Sequence, residues 1–140
     1  MVQKEEESIT IAVDFDGTIV EYKYPEIWKE KAFAIQCLKQ LQQEGNRLIL
    51  WTSREGELLE EAVAFCHERG LDFYAVNSNQ PDGALFKRQT AKVIADVYID
   101  DRNLGGIPDW STIYEMIGTL RAERHAARQK KKSIFPWRNR

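Results

Sequence analysis

This chain has little of what several common protein classes depend on. Its 140 residues include two cysteines and two histidines. Cys37 and Cys66 fall on the apolar stripes of two separate predicted helices, Ala34-Cys37-Leu38-Leu41 and Leu59-Ala62-Val63-Cys66, with no second ligand nearby. They read as two free thiols rather than as a disulfide or a cysteine-held metal site. His67 and His125 lie on predicted helices away from the strand ends, so histidine is given no catalytic role. No apolar run approaches the roughly 18 residues that a membrane span requires. The N-terminus, Met-Val-Gln-Lys-Glu-Glu-Glu, lacks the basic-then-apolar order of a secretory signal. No internal repeat is evident. A hydrophobic content of 43% and a charged content of 30% fit a single soluble, cytoplasmic domain that buries its core without covalent staples.

What the chain does have is a regular alternation of elements. The pattern predicts strands over 9–14, 47–52, 72–76 and 96–100, with helices over about 27–44, 56–69, 84–94 and 109–128. Glu44-Gly45-Asn46 and Arg69-Gly70 are helix stops in front of the next strand. Strands separated by helices predict an α/β fold, a three-layer Rossmann-like parallel sheet with helices on both faces. In such sheets ligands bind beyond the carboxyl ends of the strands. Charge is uneven along the chain. Residues 121–140 hold eight of the twenty Lys and Arg but one of the twenty-two Asp and Glu. We therefore expect a flexible N-terminus over 1–7, a core domain over 8–120 and a basic helix end and tail over 121–140.

The chemistry concentrates at the strand ends. Asp14-Phe15-Asp16-Gly17-Thr18 follows the apolar run Ile9-Thr10-Ile11-Ala12-Val13, and places two carboxylates two residues apart, on one side of the departing chain. Arg47-Leu48-Ile49-Leu50-Trp51-Thr52 ends in a hydroxyl, and Asp96-Val97-Tyr98-Ile99-Asp100-Asp101 ends in paired carboxylates. With Lys92 between these two segments, the chain resembles the haloacid dehalogenase superfamily of aspartate-nucleophile phosphatases. DFDGT is similar to its first motif, Thr52 to its second, Lys92 to its third and Asp100-Asp101 to its fourth. The likeness covers roughly residues 8–120. Neither 19–46 nor 53–91 has room for an inserted cap, so the likeness is to a capless member.

The resemblance implies a Mg²⁺-dependent phosphomonoester hydrolase. Asp14 would attack phosphorus and form an aspartyl phosphate. Asp16 would protonate the leaving alkoxide and then deprotonate the hydrolytic water. Clustered carboxylates call for a hard divalent cation with oxygen ligands, and by resemblance Asp14 and Asp100 supply side-chain oxygens, Asp16 its backbone carbonyl and Asp101 a direct or water-mediated contact. Thr52 and the amides after it would hold a phosphoryl oxygen. Thr52 also heads a Thr52-Ser53-Arg54-Glu55 capping-box pattern, which predicts a helix N-cap. Lys92 is preferred over Lys87 as the phosphate-binding lysine on its spacing to Asp96. Arg54 and Arg102 are open to a substrate contact or a structural ion pair.

Two other classes of function fit the same sequence: a non-catalytic binding or regulatory protein, and a phosphotransferase of the mutase type. The partner expected is a phosphorylated substrate, either a small metabolite or a larger phosphorylated molecule. An open, capless site also suits a neighbouring subunit as lid, which would make the protein a homo-oligomer. The basic tail, with Phe135 and Trp137, is of a kind that contacts an acidic surface.

Overall fold

A computed structural model describes residues 8–81 and 91–134. The elements run β1 (Thr10–Val13), α1 (Ala34–Gln43), β2 (Arg47–Leu50), α2 (Gly56–Glu68), β3 (Ala75–Val76), β4 (Val97–Ile99) and α3 (Trp110–Ile134). The four strands form one sheet in the order β3-β2-β1-β4, and every neighbouring pair is parallel. This is a Rossmann-like α/β architecture.

The sheet is central because its strands are apolar on both sides. Ile11, Ala12 and Val13 are all buried, as are Leu48, Ile49 and Leu50, although successive side chains of a strand face opposite ways. Ile11, Val13, Leu48 and Leu50 share a core with Leu38 and Leu41 of α1, Leu59 and Cys66 of α2, and Trp110, Ile113 and Ile117 of α3. Each such aliphatic side chain removed from water contributes about 1.5–3 kcal/mol. Helix α2 ends as expected: Gly70 takes φ +84°, and the Gly70 and Leu71 amides donate to His67 and Cys66 carbonyls. That pair of hydrogen bonds satisfies carbonyls the helix leaves open, and the left-handed turn suits glycine.

Several expected boundaries move. The helix predicted from about 27 begins at Ala34. Residues 19–31 instead form a flap pinned at its base, with Val20 bridging Glu30, the Glu21 amide donating to the Lys29 carbonyl and the Lys31 amide to the Ile19 carbonyl. The backbone groups a helix would need are spent on those bonds. Helix α3 runs six residues past the expected end, to Ile134. Its buried residues stop at Ile117, and the basic half beyond Leu120 stands largely away from the core. Most of the helix predicted over 84–94 lies outside the described residues, as do Lys87, Phe135 and Trp137; residues 91–94 are not helical. Both cysteines are free, Cys66 buried and Cys37 half-buried. Among the described residues no helix is long and apolar enough to cross a membrane.

Candidate functional site

The sheet delivers one residue from each strand to a common edge. Asp14, Trp51, Asn77 and Asp100 each directly follow a strand. The amides of the first three continue the ladder, donating to the Ile99, Val13 and Leu50 carbonyls at 2.9, 2.8 and 2.7 Å. All four line one cavity of about 550 Å³. Asp16, Thr52 and Asp101 line it too, so residues from the ends of β1, β2 and β4 converge as their positions at strand ends implied.

Local turn chemistry sets the carboxylates against one another. After β1 the amides of Thr18, Ile19 and Val20 all point to the Phe15 carbonyl, which folds the chain back at once. Gly17 has φ +80°, and a Cβ there would run into the Asp101 carboxylate; only glycine fits both constraints. Thr18 is fully buried and joins the parts. Its hydroxyl donates to Asp14 Oδ2 at 3.2 Å and accepts the Asp101 amide at 3.0 Å, while its carbonyl accepts Trp110 Nε1 at 2.9 Å. Helix α3 thereby braces the acidic site.

Carboxylate oxygens of Asp14, Asp100 and Asp101 lie within 4.8 Å of one another. Burial, and then the negative charge of Asp100 and, to a smaller extent, Asp101, push the Asp14 carboxyl up to about 7, against the opposing hydrogen bonds of the Phe15 amide and Thr18. Three hard oxygen donors within 4.8 Å of one another, one of them raised by burial and then by its neighbours' charge, are the donor set a divalent cation such as Mg²⁺ accepts. The residues present fit the ion.

Asp16 is arranged differently. Its carboxylate receives Arg54 Nε at 2.7 Å and Nη2 at 2.8 Å, a bidentate pair. Arg54 is 0% exposed, and its remaining hydrogen bonds go to the Leu58, Pro25 and Glu26 carbonyls. A buried guanidinium is tolerated only when its donors are satisfied in this way. The flap, the turn after β1 and the first turn of α2 are thus tied to a single side chain. Of the two readings open for Arg54, the structural ion pair is the one observed.

Thr52 reaches the cavity but does not cap a helix. Helix α2 starts at Gly56 with Glu55 as its N-cap and no side-chain cap bond; the Thr52 hydroxyl instead accepts the Arg54 amide at 3.1 Å. The Thr52 amide donates to Asn77 Oδ1 at 2.8 Å. Asn77 is buried and left-handed, φ 53°, a conformation asparagine tolerates better than most residues. Lys92 is not brought to the cavity. Its ammonium lies 4.3 Å from the Tyr98 ring centroid, and among the described residues the basic side chain lining the cavity is Arg102. Sequence reasoning gave no role to Thr18 or to the flap tyrosines Tyr22 and Tyr24, and took Asn77 only as the start of a loop at a strand end; all but Thr18 line the cavity. The signals were faint: the last residue of DFDGT, one polar residue in a turn-rich stretch, and two aromatics in a segment read as loop.

A Rossmann-like sheet carrying an acidic cluster in a cavity at its strand ends defines the class of protein. No protein-family model and no curated protein matches the chain. Among solved structures it is similar to a conserved protein from Bacteroides thetaiotaomicron, at 57% identity and a TM-score of 0.75, over 81% of this chain and 92% of that one. The chain belongs to the same family as that protein.

Proposed function

We propose that the protein is a Mg²⁺-dependent phosphomonoester hydrolase built on a capless, three-layer haloacid dehalogenase core. The observation that carries this reading is the meeting of Asp14, Asp16, Thr52, Asp100 and Asp101 at one cavity, with carboxylate oxygens of Asp14, Asp100 and Asp101 within 4.8 Å of one another. Asp14, Asp100 and Asp101 would hold the ion, which supplies positive charge against the phosphoryl oxygens.

In the proposed reaction an Asp14 oxygen forms a bond to phosphorus as the ester P–O bond breaks. Asp16 hands a proton to the leaving oxygen, then takes one from the water that cleaves the aspartyl phosphate. Both Asp16 oxygens accept from Arg54, so the carboxyl must turn off the guanidinium and into the cavity to do this. Thr18 fixes the rotamer of the nucleophile, and Arg102 supplies cationic charge at the cavity wall. Lys92 has no part unless its segment moves.

The Asp16–Arg54 pair also favours a second reading, a protein of this fold that binds a phosphate group and does not turn it over. A panel of p-nitrophenyl phosphate and phosphometabolites with Mg²⁺, run beside Asp14→Asn, separates the two. Hydrolysis that disappears in the variant supports the phosphatase; no hydrolysis of any compound leaves the binding reading.

A further inference from the structure

The chemistry above uses the carboxylates on one side of the cavity and leaves its aromatic side unexplained. Tyr22, Tyr24 and Trp51 line the same space. Tyr22 is 56% and Tyr24 45% exposed, so each offers ring surface to a bound ligand. The Tyr24 ring is supported from within. The Arg54 guanidinium stands 5.2 Å from the Tyr24 ring centroid, and because Arg54 is wholly buried and bound to Asp16, Tyr24 rests on a fixed support. Arg102, next to Asp101 in the chain, stands 5.9 Å from the Tyr22 ring centroid. Aromatic faces beside a guanidinium plane make a wall on which a flat ring stacks. A volume of about 550 Å³ lies in the range of small-molecule sites, about 300–1,000 Å³, and exceeds what a phosphoryl group alone occupies.

Resting on the phosphatase reading, we infer that the substrate is a nucleoside phosphate, its base stacked on the flap tyrosines and its phosphate at the Asp14 cluster. The argument for a nucleoside rather than a phenol comes from Asp16. A proton donor serves a leaving alkoxide and is of little use to a phenoxide, so the planar ring belongs at a distance from the ester oxygen, separated by saturated carbon, as a sugar separates a base from its phosphate. Free nucleotides and phosphorylated oligonucleotide ends share that chemistry.

Adenosine 5′-monophosphate and ribose 5-phosphate present the same leaving alcohol with and without a base. The expected result is a kcat/KM about tenfold or more higher for the nucleotide, from one stacked base, with that ratio falling towards one in Tyr22→Ala and surviving in Tyr22→Phe. Calorimetric binding of both compounds to Asp14→Asn with Mg²⁺ should show the same preference without turnover. A 5′-phosphorylated oligonucleotide as third ligand tells a chain end from a free nucleotide. Equal affinity and equal kcat/KM for the matched pair overturn the inference. Tighter nucleotide binding without hydrolysis by the wild type keeps the stacking site and overturns the phosphatase reading instead.

Discussion

The two ends of the paired strands β1 and β4 carry aspartates with opposite surroundings. At the amino end, Asp96 accepts the Thr10 amide at 2.8 Å and Arg124 Nη1 at 2.5 Å. Although partial burial opposes it, those bonds, with Arg124 and Arg128 charge nearby, hold its carboxyl below the usual range. At the carboxyl end, burial first and then the charge of Asp100 and Asp101 push Asp14 up. One end is neutralised, the other gathers like groups within 4.8 Å of one another. The contrast separates a pairing that stabilises the fold from a clustering that costs stability unless a ligand relieves it, and the second is what a functional site looks like.

Neutralising each end in turn should break the contrast most sharply. Asp14→Asn is expected to lower turnover of an aryl phosphate at least about 10³-fold, since an amide does not attack phosphorus. The same change should raise, not lower, the melting temperature of the metal-free protein, because it removes one of three repelling carboxylates. Unchanged activity, or a clear loss of stability at unchanged secondary structure, would contradict the assignment.

Arg54 and Asp16 form a test between the extremes, a buried pair beside the cavity. Arg54→Met should cost about 3–5 kcal/mol in chemical denaturation by stranding the Asp16 charge. The double variant with Asp16→Asn should recover a large part of that loss, and a cycle with no coupling would show that the pair does not carry the flap.

pH sharpens the comparison further. A carboxyl raised in the folded state contributes stability that is present below its unfolded value near 3.8 and lost as pH rises through about 7. In metal-free protein the wild type should therefore lose ground to Asp14→Asn between about pH 4 and 7. Adding Mg²⁺ should offset the loss, with a rise in melting temperature that grows over the same interval as the ion displaces the Asp14 proton. Asp96 has the opposite sign: lowered when folded, it contributes above its unfolded pKa and loses that contribution on acidification through the folded one. The smallest effect expected is that of Asp96→Asn, about 1 kcal/mol near neutral pH, from an ion pair partly open to solvent.

Much of this was legible in the chain, and the misses have physical causes. Alternating apolar runs with glycine stops at Gly45 and Gly70 predicted the parallel sheet, and residues just past strand ends predicted where Asp14, Thr52 and Asp100 would meet. Residues 27–33 were misread because tertiary bonds to 19–21 and the Arg54 contacts at Pro25 and Glu26 decide that segment, and neither is local. The capping-box pattern at Thr52 failed for a similar reason, its hydroxyl being taken by the Arg54 amide. Spacing to Asp96 placed Lys92 in order along the chain and gave no information on direction; the Tyr98 ring holds its ammonium instead. Helix α3 outran its expected end because its Lys- and Arg-rich second half favours helix without needing a core.

The central claim is that Asp14 is a nucleophile that carries a phosphoryl group. Beryllium fluoride with Mg²⁺ forms a mimic of an aspartyl phosphate on such a carboxylate, and fluorine NMR detects it directly. The account predicts bound-fluoride resonances in the wild type that require Mg²⁺ and vanish in Asp14→Asn. Absence of an adduct in the wild type, or an adduct that persists without Asp14, would contradict it.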